Sequence, residues 1–103
     1  MPEFTTVAQT SDVSENEPFC VDFNGKEVAL FLQNGTYFAI DNECTHKGGP
    51  LCEGTVEANE VECPWHGAKF DFTTGEATAM PAIQGVQSYE VNVEDTNIQI
   101  KGE

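Results

Sequence analysis

The chain contains no arginine, and its only basic side chains are Lys26, Lys47, Lys69 and Lys101. Eighteen acidic residues stand against these four, giving a formal net charge of −14. Neutralising nucleic-acid phosphates takes a basic patch, and so does holding to an anionic bilayer surface, so both functions are disfavoured. Long apolar runs are missing as well. None approaches the ~18 residues of a spanning helix, and Met1-Pro2-Glu3-Phe4 has neither the basic start nor the apolar stretch of a secretory signal. The expectation is a soluble, cytoplasmic protein with no nucleic-acid or membrane partner. No Gly-x-Gly-x-x-Gly run is present to cradle a nicotinamide or flavin cofactor. With 103 residues there is room for one domain and not for two.

Short β-rich runs broken by turn dipeptides predict an all-β fold. Residues 18–23, 26–32 and 36–40 are separated by Asn24-Gly25 and Asn34-Gly35, pairs that favour two-residue hairpin turns. They read as a three-stranded meander. Residues 86–93 and 98–100 alternate with a period of two around the turn Glu94-Asp95-Thr96-Asn97 and predict a second hairpin. Phe4–Gln9 is expected as a further strand. Residues 11–17 are expected as a short helix, started by a Ser or Asp cap. Residues 42–82 differ in kind: Gly48, Gly49, Gly54, Gly67 and Gly75 alternate with Pro50, Pro64 and Pro81, so turns should dominate. The expected organisation is a single domain over 1–103, with a β base from 1–41 and 83–103 and a smaller loop-rich subdomain over about 42–82.

Both histidines and three of the four cysteines fall in that middle stretch. Cys44-Thr45-His46 and Cys63-Pro64-Trp65-His66 form two hooks, each bringing a thiolate and an imidazole within a few residues. With no secretion signal, a metal site is the better expectation than a pair of disulfides. Two Cys and two His suit a tetrahedral zinc ion. They equally suit a [2Fe–2S] centre with mixed Cys and His ligation.

The runs Cys44-Thr45-His46-Lys47-Gly48-Gly49-Pro50-Leu51 and Cys63-Pro64-Trp65-His66-Gly67 resemble the Rieske family. Phe70-Asp71, Thr74-Gly75 and Met80-Pro81-Ala82 continue the resemblance, which is strongest to the ferredoxins serving ring-hydroxylating dioxygenases. It implies a Rieske-like antiparallel β-sandwich base with a cluster-binding subdomain. It also implies one Rieske-type [2Fe–2S] cluster held by Cys44, His46, Cys63 and His66. The implied function is a one-electron carrier rather than an enzyme, working as a monomer between a flavin-containing ferredoxin reductase and a terminal oxygenase. With both histidines engaged, none remains for a 2-His-1-carboxylate iron site. A small Rieske-like subunit of an assimilatory nitrite reductase is the alternative within the class. A zinc-binding structural module is the alternative outside it, and would not require the glycine-rich surround or a third, proline-bearing loop.

Several residues near the hooks carry weaker expectations. Asp41, Glu43, Glu53 and Glu57 are expected to steer docking onto basic partner surfaces. Trp65 and Phe70 suit either shielding of the site or ordinary core packing. Cys20 and Cys52 are left over and are expected as small buried hydrophobes, with a disulfide between them as the lesser alternative.

Departures from the high-potential branch of the family bear on the redox potential. Gly49 and Trp65 stand where those proteins place a loop-bridging disulfide. Ala68 and Phe70 replace their Ser and Tyr hydroxyls, so these side chains donate nothing to the cluster region. Fewer donors stabilise the added electron less. The midpoint potential is therefore expected near the low end of the Rieske range, about −150 mV. An equilibrium redox titration checks this, and a midpoint above about +100 mV would contradict it.

Overall fold

The computed structural model describes residues 4–23, 25–42, 50–64, 67–79 and 85–101. Its strands are β1 (Phe4–Gln9), β2 (Phe19–Phe23), β3 (Lys26–Gln33), β4 (Thr36–Asp41), β5 (Thr55–Glu57), β6 (Glu60–Glu62), β7 (Lys69–Asp71), β8 (Ala77–Ala79), β9 (Ser88–Glu94) and β10 (Asn97–Lys101). Among the described residues the only helical pieces are two 3-10 turns, Thr10–Asp12 and Leu51–Glu53. The fold is all-β. Among the described residues no helix is long and apolar enough to cross a membrane.

Among the described residues, every pairing between these strands is antiparallel. One sheet runs β1-β10-β9-β4-β3-β2 and the other β5-β6-β7-β8. The six-stranded sheet rolls, so that its edge strands β1 and β2 approach each other. The turn from β3 to β4 is the expected two-residue one: Asn34 and Gly35 take φ of 52° and 78°. The Glu15 carboxylate accepts their two backbone N–H groups, at 3.0 and 3.1 Å.

That contact explains why residues 11–17 form no helix. Beyond the Thr10–Asp12 turn the chain is extended at Val13, which is 4% exposed and packed in the base core. Asn16 N–H donates to the Leu32 carbonyl, and Glu15 bridges to Leu32 on β3. Tertiary partners take the backbone groups that a helix would have used, and the weak local preference loses.

β3 organises the molecule. Val28, Ala29, Leu30 and Phe31 are each at most 1% exposed, so this strand is buried on both faces. Val28 and Leu30 point into a core with Val21, Phe23, Ala39, Ile98 and Ile100, inside the rolled sheet. Ala29 and Phe31 point the other way. With Ile40 they meet Leu51, Cys52, Val61, Cys63, Ala68, Phe70 and Phe72 beneath the four-stranded sheet. Phe31 stacks on Phe72 with ring centres 4.5 Å apart, and Phe38 packs on Phe72 at 5.7 Å. Burying each such ring contributes roughly 1.5–3 kcal/mol.

The four-stranded sheet corrects the reading of residues 42–82 as mostly turns. Its strands are three residues long, too short to display a period. Val61 and Phe70, central in β6 and β7, are wholly buried and set its inner face.

The two halves of the larger sheet join where β4 meets β9, through Ala39↔Tyr89 and Ile40↔Ser88. A side-chain triad reinforces this short seam. Tyr89 donates its hydroxyl proton to Asp41 Oδ1 (2.5 Å), while Lys26 Nζ lies 3.1 Å from both Tyr89 Oη and Asp41 Oδ1. Burial raises the Tyr89 hydroxyl above the ordinary tyrosine range, and the Asp41 carboxylate pushes the same way against Lys26. The Lys26 ammonium is likewise held above its usual value, chiefly by its hydrogen bond to Tyr89 and next by Asp41. The folded chain therefore keeps both protons more tightly than the unfolded chain. This stability is complete below about pH 10 and is lost as pH rises through the raised folded values. Lys26 is half exposed, so Tyr89 should carry most of the effect. Tyr89→Phe is expected to cost about 1 kcal/mol at neutral pH and to flatten the fall in stability above about pH 10. Urea denaturation across the alkaline range measures both effects.

Candidate metal centre

Of the four expected ligands, Cys63 lies among the described residues, while Cys44, His46 and His66 lie outside them. So do Glu43, Lys47, Gly48, Gly49, Trp65, Met80, Pro81 and Ala82. The residues at the bases of the two hooks are all described, and they place the loops.

The first hook leaves β4 at Asn42 and returns at Leu51. Asn42 is 3% exposed, a buried polar residue whose side chain is fully used. Its backbone carbonyl accepts Leu51 N–H at 2.8 Å, and its Oδ1 accepts Cys52 N–H at 2.7 Å. On the other side Asn42 Nδ2 donates to Glu27 Oε1 (3.3 Å), and its N–H donates to the Glu27 carbonyl (3.2 Å). One side chain thus clasps both ends of the loop and ties them to β3. A local amide suits this place because it offers donor and acceptor together without a buried charge.

The second hook joins β6 to β7. Cys63 N–H donates to the Ala68 carbonyl at 2.7 Å, and Gly67 N–H donates to the Cys63 carbonyl at 3.2 Å. Cys63 itself is 1% exposed, in the same core as Leu51, Ala68 and Phe70. Phe70 is wholly buried there, which decides for core packing over shielding. Gly54, just past the first hook, lies so close to the Glu62 carbonyl beside Cys63 that any Cβ would overlap it. Only glycine allows this approach of one hook's tail to the other's strand. A third connection, from β8 to β9, is anchored by Val86 N–H donating to the Gly75 carbonyl (2.7 Å) and Asp41 N–H to the Gln87 carbonyl (2.9 Å).

Residues at the three loop bases therefore share one apolar floor: Leu51 and Cys52, Cys63 and Ala68, and Val86. A cysteine buried in an apolar core at the foot of one loop is a setting for a soft thiolate ligand rather than for a hard cation. The donor set of two thiolates and two imidazoles fits a Rieske-type cluster.

Sequence reasoning missed three features. Asn42 carried no signal beyond its place next to a hook, and the Lys26–Asp41–Tyr89 triad joins residues far apart in the chain. The third is a correction. Cys20 is not a buried hydrophobe: it points outward from β2, is exposed, and is disulfide-bonded to Cys52, with Cα atoms 5.2 Å apart. Alternation along β2 puts Val21 and Phe23 in the core and turns Cys20 away from it, toward the Leu51–Glu53 turn. Of the acids expected to steer docking, Glu53 and Glu57 are exposed, whereas Asp41 is engaged with Lys26 and Tyr89.

Comparison with known proteins matches this architecture. The model of the Rieske [2Fe-2S] domain matches residues 3–90, and the chain belongs to that family. Its cofactor is a Rieske-type [2Fe–2S] cluster. The ferredoxin component of the naphthalene 1,2-dioxygenase/salicylate 5-hydroxylase systems of Ralstonia sp is 37% identical over 92 residues, 89% of this chain and 88% of that one. The ferredoxin of carbazole 1,9a-dioxygenase from Nocardioides aromaticivorans superposes with a TM-score of 0.92 at 32% identity, covering 97% of this chain and 98% of that one. A ferredoxin solved in complex with the oxygenase of a carbazole 1,9a-dioxygenase superposes at 0.89 with 28% identity, over 97% and 94%. The small subunit of a nitrite reductase from Mycobacterium tuberculosis, at 22% identity and a TM-score of 0.88 over 100% and 97%, shares the fold alone.

Asn42→Ala leaves the buried Cys52 N–H without its acceptor and removes the donor to the Glu27 carboxylate. It is expected to lower the unfolding free energy by about 2 kcal/mol. Asn92→Ala, on the exposed face of β9, should change it by less than about 0.5 kcal/mol. Denaturant titration of both variants tests the clasp.

Proposed function

We propose that this chain is a ferredoxin that carries one electron at a time to a terminal oxygenase, after reduction by a flavin-containing ferredoxin reductase. In this reading it is a single Rieske domain, with a cluster-binding subdomain at about 42–82 on a base from 1–41 and 83–103. Cys44 and Cys63 hold one iron and His46 and His66 the other. The observation that carries the assignment is the shared floor of the hooks: Leu51 and Cys52 at the end of one loop and Cys63 and Ala68 at the base of the other lie in one core. Both Cys-and-His loops then start from one shared core. When bound, the cluster supplies one-electron exchange.

The protein's own residues act by fixing the loop bases. Asn42, Gly54 and the Cys63–Ala68 closure hold the loop bases in register, so that ligands are presented without rearrangement. Support for the partner comes from the dioxygenase ferredoxins that resemble this chain, one of them solved with its oxygenase. The net charge of −14 suits docking onto a basic face, with Glu53 and Glu57 exposed beside the first hook. The nitrite reductase reading has the fold in its favour and no more.

The test is spectroscopic. Purified protein is expected to be red-brown, with a rhombic EPR signal of low average g after reduction. Cys63→Ser and His66→Ala should each abolish that signal. A colourless protein containing zinc would overturn the proposal. With an oxygenase of the matched systems as acceptor, the transfer rate is expected to fall as salt shortens the screening length below about 8 Å.

A further inference from the structure

The Cys20–Cys52 pair lies outside the ligand set, yet it sits where the first hook meets the base. The two residues are 32 apart in sequence and their Cα atoms are 5.2 Å apart, inside the range a disulfide spans. Cys52 belongs to the 3-10 turn that ends the hook, and its N–H is the one clasped by Asn42. Its side chain is buried at 6% exposure in the core beneath both hooks. Cys20 lies on β2, an edge strand of the large sheet, and faces solvent. Cys20 is therefore the exposed half of the bridge, and Cys52 the half packed in the core that the hook bases share.

We propose that this pair is a thiol–disulfide exchange site that latches the first hook to the base, so that small-molecule thiols set how firmly the hook is held. The latch half of this inference rests on the reading of residues 44–46 as a ligand loop; the exchange half does not. The chemistry needs a low-molecular-weight thiol as reductant. Its thiolate attacks the exposed Cys20 sulfur, a mixed disulfide forms there, and the Cys20–Cys52 bond breaks with its electron pair leaving on the Cys52 thiolate. A second thiolate attacks the thiol-derived sulfur of the mixed disulfide and releases Cys20 as a thiolate. The small thiol leaves as its own disulfide, having supplied two electrons, and the cysteine thiolates take protons from solvent. Attack at Cys20 follows from access, since exchange requires the incoming sulfur to reach the bond. With the bridge open, the hook end is left to the Asn42 hydrogen bonds and to Leu51 packing. The constraint that the bridge places on the unfolded chain is gone.

The experiment uses the full chain in two arms. In the first, protein is denatured and alkylated with iodoacetamide, with and without prior dithiothreitol, and peptides are weighed. Two further alkyl groups are expected after reduction, one on Cys20 and one on Cys52, whether or not metal was bound. Full alkylation of both without reductant, persisting after incubation with oxidised dithiothreitol, would overturn the exchange site. In the second arm, native red-brown protein is mixed with chelator, and bleaching is followed with and without dithiothreitol. Reduction is expected to speed bleaching about tenfold or more, because the bridge constrains the chain by more than a tenfold equivalent. Cys20→Ser should bleach at the fast rate regardless of thiol, which separates the latch from direct attack of thiol on the metal. Equal, slow bleaching of Cys20→Ser and of wild-type protein without thiol would overturn the latch while leaving the exchange chemistry standing. A protein that never colours would instead count against the ligand reading, and the first arm would still decide the bridge.

Discussion

Burial of β3 on both faces is the constraint on which the rest of the structure depends. A strand with apolar side chains on alternating positions can serve one core. Val28-Ala29-Leu30-Phe31 serves two, because every successive residue is apolar and every one is covered. The inner face closes the rolled sheet and makes the base self-supporting. The outer face presents Ala29 and Phe31, with Ile40 from β4, as the floor on which the smaller sheet and the hook bases pack. The smaller sheet is thus built on the back of the base core, and the two cannot move independently without opening the Phe31–Phe72 stack.

From that floor, position is passed on by a few polar contacts. The couplet Asp41-Asn42 stands at the junction. Asp41 is held by Lys26 and Tyr89 at the β4–β9 seam, and Asn42, one residue on, clasps both ends of the first hook. Asp41 ends β4 and Asn42 begins the loop, so a single dipeptide secures the base through one side chain and the loop through the next. Hydrogen bonds in the dry interior are favourable only when complete. Among the described residues no buried side-chain polar atom is left without a partner.

The surface follows a different rule. With four lysines against eighteen acids most carboxylates have no cation to meet, and among the described residues the ion pairs are Lys26–Asp41 and Lys101–Glu90. Such a surface repels itself and attracts basic partners over a range set by salt. Its acidity is a property of association, whereas the fold rests on the two apolar cores.

Much of this was legible in the chain alone. The all-β class, the meander around Asn34-Gly35, the closing hairpin and the paired Cys and His hooks all rest on local signals. A turn dipeptide, a period of two and a ligand spacing act over a few residues and survive being read one window at a time. The failures are equally particular. Residues 11–17 gave up a helix because β3 offered their backbone better partners. The small sheet escaped notice because three-residue strands show no period. Cys20 was misread because its outward direction depends on the register of β2, and its partner lies beyond any local window. By itself, then, the sequence determined the strands of the larger sheet and the family, which need only short-range order. The tertiary structure alone decided which face each strand buries, that Asn42 closes the hook and that Cys20 meets Cys52. Those contacts exist only once the β3 cores bring distant segments together.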